Sequence, residues 1–121
     1  MHIIACSIIV CAIALSFLLP VPQMELNKAF GQALKQSRMV AGLTQEDFST
    51  VSSRTYLSAL ERGLQSPTLE KLAEICELLG VHPVTLVAAT YLAKEDMSVE
   101  ELLRTLTTEL GAMGFEPPEP R

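Results

Sequence analysis

GLTQEDFSTVSSRTYLSALERG, Gly42 to Gly63, is the stretch that decides the reading of this chain. It divides into two short helical segments joined by a tight turn. Thr44 precedes the first, with Asp47 three residues on. This is a variant of the Ser/Thr-x-x-Glu capping box, in which side chain and backbone satisfy each other at a helix start. Phe48 is the inward anchor of that segment. Ser53 offers a second N-cap, and Leu57 and Leu60 then lie one turn apart on one helix face. The other face carries Arg54, Thr55, Ser58, Ala59 and Arg62. A short helix with small polar groups and arginines outward has the shape that enters a DNA major groove.

Working outward, four pieces stand in order: GLTQEDF (42–48), YLSALERG (56–63), SPTLEKLAEICELLGV (66–81) and HPVTLV (82–87). Together they make residues 26 to about 92 resemble the phage-repressor and Cro-type helix-turn-helix domain, the xenobiotic-response-element family. The resemblance covers over half the chain. It implies an all-α fold: a compact five-helix lambda-repressor-like domain, here followed by a C-terminal sixth helix and preceded by a separate hydrophobic N-terminal helix. The implied organisation is 1–23 as a hydrophobic segment, 24–94 as the DNA-binding domain, and 95–121 as the last helix with a Pro-rich tail. The implied function is transcription regulation on double-stranded DNA by a homodimer, whose two-fold axis sets two recognition helices about 34 Å apart. The operator, the regulated genes and the choice between repression and activation are not written in the motif.

The resemblance assigns roles to residues. Gln45, at the first turn of the leading helix, is expected at a phosphate oxygen. Ser53, Arg54 and Thr55 open the recognition helix, 54–62, at the end that faces base edges. Arg54 can give two hydrogen bonds to guanine O6 and N7, or else contact a phosphate. Thr55 and Ala59 are expected near a thymine methyl, and Ser58 and Arg62 near phosphate or solvent. Tyr56 is expected to pack inward. Arg38 and Glu61 match positions that form a partly buried ion pair. One departure stands out. Only eight residues separate Phe48 from Leu57, fewer than in most relatives, and Val51-Ser52-Ser53 replaces the usual turn glycine. A shortened leading helix is expected, and the roles of Ser53 and Arg54 shift with the alignment there.

The charge is unevenly placed. The net charge is −5, yet residues 24–66 hold five Lys/Arg against four Asp/Glu, or +1, while 67–121 hold four against ten, or −6. The first half is therefore the phosphate-facing candidate. The acidic second half favours a rival class: an interaction module, such as an antitoxin or a membrane-tethered adaptor, on the same fold.

The first segment is compositionally apart. Ile3 to Leu19 is a 17-residue run without charge, followed by Pro20 and Pro22. It stands at the lower limit for a membrane helix. No basic n-region precedes it, which argues against a secretory signal. Met24 opens MELNKAFGQAL, which looks like a normal start for the family. The readings are a mis-called start, a membrane anchor, and a signal or accessory helix, in that order. A cytoplasmic protein is expected, with membrane association only if residues 1–23 are real.

The remaining pattern is helical. Leu26, Phe30, Ala33, Leu34 and Ala41 mark one face of a helix that Gly42 ends. The leading helix of the motif is expected from Gln45 to about Thr50. Ser66-Pro67 is expected to open the next, with Leu69, Leu72, Ala73, Cys76 and Leu79 inward. His82-Pro83 opens another, with His82 as its cap. Ser98-x-x-Glu101 boxes the last, whose Leu102, Leu103, Leu106 and Leu110 form a stripe. Three cysteines without paired spacing suggest a reducing compartment, not a disulfide framework. No cofactor or metal is expected: no CxxC or HxxxH occurs, and His2 and His82 lack partners. Nor is catalysis: there is no GxSxG and no Gly-rich phosphate loop, and Glu61 has no nucleophile beside it.

Overall fold

The computed structural model describes residues 25–115. The hydrophobic N-terminal segment lies outside the described residues, as does most of the Pro-rich tail. Helix α1 (Leu26–Val40) is followed by a one-turn 3-10 helix, η1 (Gln45–Phe48), and then by α2 (Arg54–Glu61), α3 (Leu69–Leu79), α4 (Pro83–Glu95) and α5 (Val99–Ala112). No strand occurs among the described residues.

α1 is the axle of the domain and packs chiefly on α4 and α2. It buries Ala29, Phe30, Ala33 and Leu34, whose i, i+1, i+4, i+5 spacing forms one stripe. Leu26, 42% exposed, and Ala41, also exposed, lie past the two ends of that stripe, outside the expected core. Phe48, Leu57, Leu60, Ile75, Cys76 and Leu86 fill the space between the helices. At Gly31 the backbones of α1 and α2 nearly touch. An added Cβ there would stand 2.5 Å from the Glu61 carbonyl oxygen and 2.6 Å from that of Leu60.

Three boundaries differ from the sequence expectation. The leading helix is a single 3-10 turn, not an α-helix to Thr50. Its end is taken up by the short connection, where Val51 and Ser52 N–H groups both donate to the Phe48 carbonyl, at 3.0 and 2.9 Å. α2 ends at Glu61, with Arg62 as its C-cap. α3 starts at Leu69, because Thr68, not Ser66, supplies the N-cap: its side chain accepts from the Lys71 N–H. The buried stripe of α3 is Leu72, Ile75, Cys76 and Leu79. Leu69 (82% exposed) and Ala73 lie on its flank and face solvent, and Ile75 takes their place inside.

The other start signals read as expected. The Thr44–Asp47 and Ser98–Glu101 boxes are both closed in each direction. His82 Nδ1 accepts from the Val84 N–H at 3.1 Å. Among the described residues, no single helix is long and apolar enough to cross a membrane; α3 and α4 pass that test only as a pair bent by 100°.

Candidate nucleic-acid interface

Three elements position the face. Ser53 ends the turn in extended geometry, and its Oγ accepts from the Tyr56 N–H at 3.1 Å, which starts α2. Leu57 and Leu60 then sink completely into the core and fix the rotation of the helix. The opposite side is left to water. Arg54, Thr55 and Arg62 are exposed there, and Ser58 is half-buried. With Gln45 from η1, these four line one open depression.

Two expected members stand elsewhere. Ala59 is only 7% exposed. It lies about 40° round the helix from Thr55, away from Arg54 and Ser58. The chain also reverses beside it at Gly63, where the Leu64 N–H donates to the Ala59 carbonyl at 2.9 Å. Its methyl is largely covered by the protein itself and does not line the depression. Ser53 is exposed, but its hydroxyl is engaged in capping and is not part of the depression.

Beneath this face is a polar knot. Arg38 of α1 donates from Nε to Glu61 Oε2 at 2.6 Å and from Nη2 to Oε1 at 3.0 Å. Its Nη1 donates to the Leu43 carbonyl at 3.0 Å. The two side chains are 13% and 5% exposed. The Glu61 hydrogen bond raises the Arg38 pKa above its ordinary value, against the lowering effect of burial. Glu61 Oε1 also accepts from Gln45 Nε2 at 3.2 Å. One carboxylate thus ties together α1, α2 and η1, and one of the two amide N–H groups of Gln45 remains available outward.

Other contacts leave no trace in the sequence pattern. Arg54 Nη1 donates to Glu46 Oε1 at 3.3 Å, with both side chains largely in water, at 70% and 76% exposure. Lys71 Nζ of α3 donates to the Val51 carbonyl at 2.5 Å and pins the turn that lacks a glycine. The residues in each contact are distant in sequence, so no local period marks them. Among the described residues, no group of three or more His, Cys, Asp or Glu is placed to hold a metal.

A helix-turn-helix family model matches residues 34–86. An uncharacterized HTH-type transcriptional regulator from Sinorhizobium fredii, y4dJ, is 42% identical over 69 residues, which are 55% of this chain and 90% of that protein. Two crystal structures of the clp gene regulator ClgR from Corynebacterium glutamicum share the fold. One has a TM-score of 0.57 at 30% identity, over 61% of this chain and 97% of its own. The other has a TM-score of 0.55 at 28% identity, over 78% of this chain and all of its own.

Proposed function

Since the chain belongs to the phage-repressor and Cro-type helix-turn-helix family, we propose that it is a sequence-specific DNA-binding transcriptional regulator, acting in the cytoplasm as a homodimer. Residues 24–94 are the DNA-binding unit, and 95–121 are accessory to it. The observation that carries this reading is the depression where Gln45, Arg54, Thr55, Ser58 and Arg62 meet in the open. Two arginines, an amide and two hydroxyls converge on a surface free of large apolar groups. That is the chemistry of phosphate and base-edge contacts, not of an apolar ligand site.

The roles divide by position. α2 enters the major groove with Arg54 and Thr55 leading. Arg54 leaves Glu46, an exposed pair costing no more than about 1 kcal/mol to break, and forks onto a guanine. Thr55 meets a thymine methyl or a base edge. Gln45 and Arg62 hold phosphates on either side, and Ser58 supports the backbone contact.

Selection of bound sequences from a random duplex pool, followed by mobility shifts, tests this. Arg54→Ala is expected to weaken the selected site by about 1–3 kcal/mol and to relax preference at one base pair, with the melting temperature unchanged. Gln45→Ala is expected to weaken all sequences alike. Equal, uniform losses for both would make Arg54 a phosphate contact and move base readout to Thr55. A chain that selects no sequence, and in which neither substitution changes DNA affinity, would replace this reading with the interaction module.

A further inference from the structure

We propose that Glu46 sets how strictly Arg54 reads guanine, by offering the arginine a second seat within the protein. This deepens the DNA reading above and rests on it. Two arginines line the open depression, and they are not alike. Arg54 Nη1 donates to Glu46 Oε1 at 3.3 Å. Arg62 Nε donates to the Ser58 carbonyl at 3.4 Å, and among the described residues no carboxylate pairs with it. The nearby carboxylates differ in the same way. Asp47 closes the Thr44 box, and Glu61 holds Arg38 and Gln45. The Glu46 carboxylate is 76% exposed, and Arg54 is its one hydrogen-bond partner among the described residues. The fold therefore gains little from Glu46. What Glu46 fixes is the resting place of a base-reading group.

A competing partner changes discrimination as well as affinity. At a guanine, Arg54 exchanges one exposed ion pair for two hydrogen bonds, to O6 and N7. Binding there is weaker by whatever the ion pair contributed. At another base the fork finds no matching pair of acceptors. Arg54 then stays on Glu46, a contact within one chain that needs no further ordering. A wrong base therefore loses the fork but keeps the ion pair. Without Glu46 that fallback is gone: guanine sites tighten by the worth of the pair, and other sites stay as they were. A Glu46 that acted only as a fixed charge against the phosphates would weaken all sequences alike. The direct contact favours the first account, because the Glu46 charge is already matched by Arg54 on the same face.

The test is competition binding of the full chain to two duplexes. One is the selected site. The other is the same site with adenine in place of the guanine whose preference Arg54→Ala relaxes. Glu46→Gln is expected to tighten the guanine duplex by about two- to five-fold, to leave the adenine duplex unchanged, and to affect neither duplex in the Arg54→Ala background. Both side chains are largely in water, so each variant should melt like wild type. Equal tightening of both duplexes, or tightening that persists without Arg54, makes Glu46 a charge acting on the phosphates and overturns the inference. A weakened guanine duplex, which would make Glu46 a prop for Arg54 on the base, overturns it too, as does no change at all. An Arg54→Ala chain that relaxes no guanine position overturns it while the DNA reading stands. A wild type that selects no sequence sinks the DNA reading and the inference with it.

Discussion

Replacing Arg38 with Ala should cost this domain about 3 kcal/mol, although Arg38 lies neither in the apolar core nor in the depression lined by Gln45 and Arg54. Glu61 accepts three hydrogen bonds, at 2.6 and 3.0 Å from Arg38 and 3.2 Å from Gln45. With its side chain only 5% exposed, it has little water to fall back on. Arg38→Ala removes two of the three donors and the facing positive charge. It also strips the Leu43 carbonyl of a donor. Leaving one member of a buried pair uncompensated costs about 3–5 kcal/mol. The surviving Gln45 bond and the partly wet edge at Arg38, 13% exposed, place this case at the low end. At about 0.05–0.15 kcal/mol per residue, residues 25–115 hold roughly 5–14 kcal/mol in all, so the loss is a large share.

Urea unfolding reads this directly. With a slope of about 1–2 kcal/mol/M, the midpoint should fall by about 1.5–3 M. The double change Arg38→Met with Glu61→Leu should recover most of the loss, because matched apolar groups need no partner. The sign with pH also follows. The Glu61 hydrogen bond raises the folded pKa of Arg38 above its ordinary value. The pair's contribution through this group is therefore complete below the unfolded value and is lost only as pH rises through the higher folded one. The cost of Arg38→Ala should then be the same at pH 7 and pH 9. A loss under about 1 kcal/mol would be that of a solvated surface pair and would refute the reasoning. So would a double variant as unstable as the two single changes added together.

Other expectations rest on single observations. Gly31→Ala should destabilise by about 1–3 kcal/mol in thermal melts, since its Cβ would meet helix backbone at 2.5 Å, while Gly111→Ala, with nothing within 4 Å, should stabilise α5 by about 0.5–1 kcal/mol. Leu57→Ala, at a fully buried site, should cost about 2–5 kcal/mol and abolish DNA binding at growth temperature through unfolding. Burial raises the Cys76 thiol pKa; the neutral thiol favours the fold below the unfolded value of about 8.5 and ceases to as pH rises above it, so stability should slope downward there, and less so in Cys76→Ala. Mass spectrometry should find Cys76 alkylated only on unfolding.

What was legible in the sequence was local or periodic. The Thr44–Asp47 and Ser98–Glu101 boxes and the His82 cap span at most four residues each, so their chemistry is visible in the string. Leu57, Leu60, Leu72 and Leu79 are apolar at helical spacing and are buried. What was not legible depended on where elements end and on what crosses between them. Ile75 replaced Leu69 and Ala73 inside because α3 is rotated so that Leu72, Ile75, Cys76 and Leu79 face the core, which turns the flank bearing Leu69 and Ala73 to solvent. Ala59 is largely covered beside the chain reversal at Gly63. The Glu46–Arg54 and Gln45–Glu61 contacts join residues eight and sixteen apart across a turn, where no period reaches.

The missing turn glycine and the knot at Glu61 belong to one argument. A four-residue 3-10 turn has too few hydrogen bonds to hold its own direction against solvent. η1 is aimed instead by its surroundings. Phe48 is fully buried, the Thr44 box closes the start, and the Phe48 carbonyl collects two N–H groups of the connection. Lys71 holds the Val51 carbonyl from α3, and Glu61 holds Gln45 from α2. The connection contains no glycine, and contacts from α2 and α3 set its angle. Gln45 and Arg54 therefore keep their separation only while Glu61 keeps its position, and Arg38 is what keeps it there. At a temperature where Arg38→Ala remains folded, its DNA affinity should consequently fall for all sequences, as with Gln45→Ala, because what is lost is the placement of η1 against α2 and not a base contact.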